Sequence, residues 1–191
     1  MNLPHKYINS LTSRYPALCD MAVDIEKAIE VLHRCYLGGS TIYTCGNGGS
    51  ASDAEHIVGE LMKGFALKRE LPASEIKAFL NLYPDTALDM CANLQQGIPA
   101  VSLVSSSALM TAILNDLDPE YLFAQQLYSI GQKGDVLIAI STSGNSKNVI
   151  NALTKLNYNY DTSNFNSLWL FPMMGKIFLN HLANLDLSKS F

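Results

Sequence analysis

Two short runs of glycine, serine and threonine are the places where this chain could hold an anion. The first, Cys45-Gly46-Asn47-Gly48-Gly49-Ser50, closes an apolar stretch and opens a segment of helical composition from Ala51 to Phe65. The second, Ser141-Thr142-Ser143-Gly144-Asn145-Ser146, closes the apolar run Asp135 to Ile140 and again opens a helix. Glycine admits positive φ and lets backbone N–H groups approach a ligand with no Cβ in the way. The helix behind each loop aims the positive end of its dipole at the same point. Hydroxyls and N–H groups together satisfy a phosphate dianion without a cationic side chain. Alone, the hydroxyls of Ser141, Thr142, Ser143 and Ser146 would read as a helix cap; the twin design favours phosphate.

A carboxylate follows the first loop. Glu60 lies four residues beyond His56, which places both on one helical face. A helix glutamate on its own reads as a solvated residue; beside a ligand pocket it could remove a carbon-bound proton. The same His-x-x-x-Glu spacing suits two metal ligands, although zinc wants about four. Asn115-Asp116 reads, on spacing alone, as the end or cap of a helix.

These groups need elements to position them. Tyr7 to Tyr36 carries apolar residues at helical spacing, with Pro16 a kink or a first turn within it and Gly38-Gly39 its stop. Thr41 to Cys45 reads as a strand, and the helix from Ala51 is expected to end near Gly64. Ser74 to Leu82 and Asp85 to Gln95 have helical composition, Ala100 to Val104 reads as a second strand, Ala108 to Leu114 and Pro119 to Ile130 as helices, and Asp135 to Ile140 as the third strand. Such alternation predicts an α/β fold, a doubly wound and mostly parallel sheet with helices on both faces. Ligands then sit at the carboxyl ends of the strands, where both loops fall.

With 191 residues, 48% of them hydrophobic and 16% charged, the chain has the length for one domain with a sizeable core. A net charge of −4 without any Lys/Arg cluster argues against direct binding of nucleic acid. Cys19, Cys35, Cys45 and Cys91 show no CxxC spacing, sit in apolar or helical contexts and read as reduced core thiols of a cytosolic protein. No basic leader or membrane-length apolar run is present, so a cytoplasmic protein is expected.

The run Cys45 to His56, with Glu60-Leu61 and the later Gly134 to Ser146, resembles the SIS (sugar isomerase) domain, and within it the phosphoheptose isomerases. The resemblance extends from the leading helix to about Leu153. It implies a three-layer SIS sandwich that interconverts sedoheptulose 7-phosphate and D-glycero-D-manno-heptose 7-phosphate through an enediol, with Glu60 as base. It implies that Asn47, Gly48, Gly49 and Ser50 line the sugar, that Ser141, Thr142, Ser143 and Ser146 grip the phosphate, and that Asn115 and Asp116 lie near sugar hydroxyls. Some family members hold zinc at the positions of His56 and Glu60, and members are homotetramers with sites at subunit contacts. The whole chain, 1–191, is expected to form one SIS-like domain: a leading helix (1–37), a family-like core (41–153) and a divergent tail (154–191).

In that tail the family pattern fails. Thr154 to Asn166 is rich in Asn and Tyr and reads as turn rather than as the strand the family places there. Trp169, Leu170, Phe171, Met173 and Met174 read as a hydrophobic plug or an exposed patch, and a shifted frame or truncation would give such a tail. His181 lacks the family's preceding Gln, so no catalytic histidine is assigned. Lys68 to Gln95 reads equally as a flap, an oligomer contact or a surface insertion. The alternative to an enzyme is a non-catalytic SIS protein, either a phosphosugar-sensing regulator or a partner of the replication initiator. Glu60 argues against the initiator type and the missing tail motif argues for it. A hexosamine or hexulose phosphate is a third reading.

Overall fold

In a computed structural model, which describes residues 3–64, 67–159 and 166–170, four parallel strands form one sheet. The chain enters through helix α1 (Leu3–Arg14), a 3-10 turn (Pro16–Met21) and α2 (Ala22–Leu37). The single leading helix expected from the sequence is thus two helices, because Pro16 begins a new turn after Tyr15 leaves helical geometry. β1 (Ile42–Gly46) then leads to α3 (Gly49–Met62), α4 (Ala73–Leu82), α5 (Ala87–Asn93) and β2 (Ala100–Ser102). α6 (Ser107–Asp116) and α7 (Leu122–Ile130) precede β3 (Val136–Ile140), and α8 (Lys147–Asn159) precedes β4 (Asn166–Leu170).

β1 and β3 are buried at every position. Both faces are covered, and the strand alternation sorts the side chains between two cores. Ile42, Val136, Ile138 and Ile140 pack with α1, α2 and α3, while Tyr43, Cys45, Leu137 and Ala139 pack with α6, α7 and α8. Thr44 is fully buried and satisfies its hydroxyl by donating to the Ala54 carbonyl of α3 at 2.9 Å. Asp135, also buried, accepts from the Thr41 and Gln132 amides at 2.7 Å each, which pins the start of β1 to the turn before β3. Of the four cysteines expected in the core, Cys35 and Cys45 are buried and free, and burial pushes their thiols up to about 11 and about 12; Cys19 is exposed and Cys91 half-buried, because their helices leave those positions outside the two cores.

The strand order is β2-β1-β3-β4. From β1 the chain crosses to one side through α3, and from β3 it crosses to the other through α8. The order therefore reverses between β1 and β3, which is the position where open α/β sheets bind ligands.

Two expectations for the tail change. α8 continues through Asn159, and β4 runs parallel to β3 from Asn166 opposite Val136 to Leu170 opposite Ile140. Asn157, Tyr158 and Asn159, read as turn, are tolerated at the end of a helix that is already nucleated, and Leu168-Trp169-Leu170 has the composition of a strand. Phe171, Met173, Met174 and His181 lie outside the described residues. In the Lys68 to Gln95 stretch, α4 buries none of its residues and Leu82 and Leu88 are exposed.

Candidate functional site

Gly46 pairs with Ile140 in the β1–β3 register, so the two glycine-serine loops leave adjacent strands side by side. The first turns into α3 through Gly48, at φ +56° and ψ −120°, which only glycine adopts without strain. Gly46 has a different task. A Cβ there would meet the Ser50 carbonyl oxygen at 2.6 Å, so its absence lets the end of β1 lie directly under the first turn of α3. Ser50 is consequently buried.

The second loop is organised by its own hydroxyls. Ser141, buried, accepts from the Gly144 amide at 3.1 Å and lies 3.3 Å from the Ser146 hydroxyl. Ser143 accepts from the Asn145 amide at 3.2 Å, and Gly144 takes φ +66°. Ser141 and Ser143 thus bond amides of the loop ahead of α8 rather than those of its first turn, and Thr142 and Ser143 are exposed. Asn47 and Asn148 exchange two amide hydrogen bonds of 2.9 Å, which ties the first loop to the first turn of α8. Sequence reasoning missed Asn148, although its place one turn after the second loop was a usable signal. Lys147 beside it is held by Glu120 at 2.7 Å, and that bond raises its pKa.

Glu60 sits in the last turns of α3 with its side chain 11% exposed. Its Oε1 lies 3.6 Å from His56 Nε2 and 3.4 Å from Lys63 Nζ, both on exposed side chains, and its Oε2 is buried without a hydrogen-bond partner among the described residues. A buried unsatisfied oxygen costs about 1–3 kcal/mol. Ten residues separate Ser50 from Glu60; at roughly 1.5 Å of rise per residue they stand about 15 Å apart along the helix. One copy of the chain thus brings the two loops together but leaves the carboxylate at the far end of α3.

His56 and Glu60 do lie side by side. Among the described residues no group of three or more His, Cys, Asp and Glu side chains gathers, so His56 and Glu60 supply two of the roughly four ligands zinc takes. Asn115 and Asp116 end α6 and hydrogen-bond each other at 2.7 Å. Asp116 lines a cavity of about 270 Å³ between α6 and α7, and among the described residues neither bonds to either loop.

The sheet order, the register and the two loops can be set beside known proteins. Residues 6–81 match the family model described as SIS domain. Solved phosphoheptose isomerases superpose on the fold: that of Neisseria gonorrhoeae with a TM-score of 0.60, covering 94% of this chain and 92% of that one at 23% identity, and that of Francisella tularensis with 0.59, covering 95% and 98% at 19%. The fold is SIS-like. In sequence, the chain is 35% identical over 147 residues to proteins named phosphoheptose isomerase from Shewanella denitrificans and Shewanella frigidimarina. Those matches cover 77% of this chain and 62% and 61% of the relatives, so the chain spans about three fifths of the length of the curated relatives it matches. The SIS-domain match contains the first loop and Glu60, and the second loop lies beyond its end.

Proposed function

We propose that the chain is a phosphosugar isomerase, a single domain acting in the cytoplasm on sedoheptulose 7-phosphate and D-glycero-D-manno-heptose 7-phosphate. The observation that carries this reading is Glu60, a nearly buried carboxylate with one unsatisfied oxygen on the helix that the first loop starts. Such a group is costly to keep, and natural proteins keep costly polar groups at functional sites. The phosphate rests on the paired loops, held by the N–H groups that open α3 and α8 and by Thr142, Ser143 and Ser146. Asn47, Gly48, Gly49 and Ser50 border the sugar chain, with Asn115 and Asp116 serving its hydroxyls. Glu60 takes the proton from one of the first two carbons and returns it to its neighbour, with the enediol between.

The separation along α3 adds a condition. With C–C bonds of about 1.5 Å, the zigzag from C7 to C1 of a heptose reaches roughly 8 Å, short of the distance from Ser50 to Glu60. A shared site in a homotetramer, as the family resemblance implies, removes the mismatch by letting Glu60 of one copy serve the loops of another. The experiment is a partition of roles. Ser143→Ala should weaken phosphosugar binding in a calorimetric titration, and Glu60→Gln should abolish turnover with binding retained; equal loss of binding in both would refute the assignment.

A further inference from the structure

We infer that Arg69 is the positioning residue for Glu60, clamping from inside the protein the last turn of α3 that carries it. The inference rests on the proposed role of Glu60 as base.

A helix ends with carbonyls that lack intrahelical partners, and any donor can cap them. Here the donor is a guanidinium 6% exposed. Its Nη2 donates to the Leu61 carbonyl at 2.6 Å and to the Glu60 carbonyl at 3.5 Å, and its Nε donates to the Gln96 carbonyl at 2.9 Å. Gln96 answers by donating its amide to the Arg69 carbonyl at 2.8 Å and its side-chain N–H to the Tyr36 hydroxyl at 2.8 Å. The end of α3 is thereby fastened both to the segment entering β2 and to α2.

A neutral donor could have done that much. A buried arginine is costly unless its charge is used, and its Nη1 is buried without a hydrogen-bond partner among the described residues, as is Glu60 Oε2. Burial works against the cation, lowering the Arg69 pKa, while Tyr36 and Glu60 work in its favour. His56 and Lys63, the other charged partners of Glu60, are solvated and replaceable. Arg69 instead holds the backbone of the same turn from a buried position, through the Glu60 and Leu61 carbonyls. Its planar fork fixes orientation in a way that a lysine point charge does not.

The test compares Arg69→Met and Arg69→Lys in the full chain, each alone and combined with Glu60→Asp, whose shortened carboxylate leaves turnover measurable. In Arg69→Met the calorimetric stoichiometry for sedoheptulose 7-phosphate should hold, with Kd and KM within about threefold, while kcat per binding site falls about thirtyfold or more. Arg69→Lys, which keeps the charge without the fork, should recover only part of that loss and leave kcat per binding site about tenfold low. In the Glu60→Asp background either substitution should cost less than about threefold, because coupled residues are non-additive. Unchanged kcat per binding site, or losses that multiply in the double variants, would overturn the inference. If Arg69→Met does not fold, Arg69→Lys with and without Glu60→Asp decides by the same criterion. Full turnover in Glu60→Gln would remove the base assignment, and this inference with it; normal loss there without coupling would remove Arg69 alone.

Discussion

Gly46→Ala is the sharpest small perturbation the structure offers. The new Cβ would stand 2.6 Å from the Ser50 carbonyl oxygen and 2.7 Å from its carbonyl carbon and Cβ. Ordinary contact begins near 3.4 Å, so backbone atoms at the start of α3 must retreat by about 0.8 Å, and no flexible side-chain tip is available to yield. Overpacking of this kind costs about 1–3 kcal/mol. The shift also falls on the N–H groups assigned to the phosphate, so binding should weaken by about tenfold or more, since a hydrogen-bond cradle tolerates little displacement. Gly49→Ala is the control: its Cβ would meet nothing within 4 Å, its backbone is not left-handed, and it stands at the first position of α3. Thermal unfolding and a calorimetric titration with sedoheptulose 7-phosphate should separate the two, Gly46→Ala losing both stability and affinity and Gly49→Ala keeping its stability. Equal behaviour of the two variants would refute the close-approach argument.

Further outcomes follow from the same geometry. Ile138→Ala, at a fully buried position of β3, should lower unfolding stability by about 2–5 kcal/mol in a denaturant titration. At pH 8 a thiol reagent should label Cys19 promptly and reach Cys35 and Cys45 only on unfolding. Because their folded pKa values, about 11 and about 12, exceed the ordinary 9.0, their contribution to stability is complete below about pH 9 and is lost as pH rises through 11–12. Mixing inactive Glu60→Gln with a loop-defective Ser143→Ala preparation, with subunit exchange allowed, should restore some high-affinity turnover if one copy's carboxylate serves another's loops. No gain above the sum of the two would argue against a shared site.

How much of this was legible depended on whether the signal was local. The two loops were readable because glycine and serine directly after an apolar run have few other uses, and β1 and β3 begin and end within one residue of their expected bounds. The double-sided burial of the sheet followed from the lack of polar alternation in those strands. Pro16 was readable as a break but not for its extent, since a first turn and a kink share one sequence signal. β4 was obscured because the Asn/Tyr-rich segment before it hides a helix end, and strand propensity depends on the neighbour a strand finds. Arg69 sits in Lys68-Arg69-Glu70, which reads as a solvated charge cluster; only the tertiary packing of the α3 terminus reveals it as buried. The separation of Glu60 from its own loop was computable from the helical rise, but the shared helical face with His56 directed attention elsewhere.

The most direct test follows the carbon-bound proton. Sedoheptulose 7-phosphate incubated with the chain in heavy water and read by proton NMR should be converted to the aldose with deuterium entering at the carbon that receives the proton, and Glu60→Gln should bind the sugar yet form no product. Unlabelled aldose formed by Glu60→Gln at the rate of the unaltered chain would contradict the account.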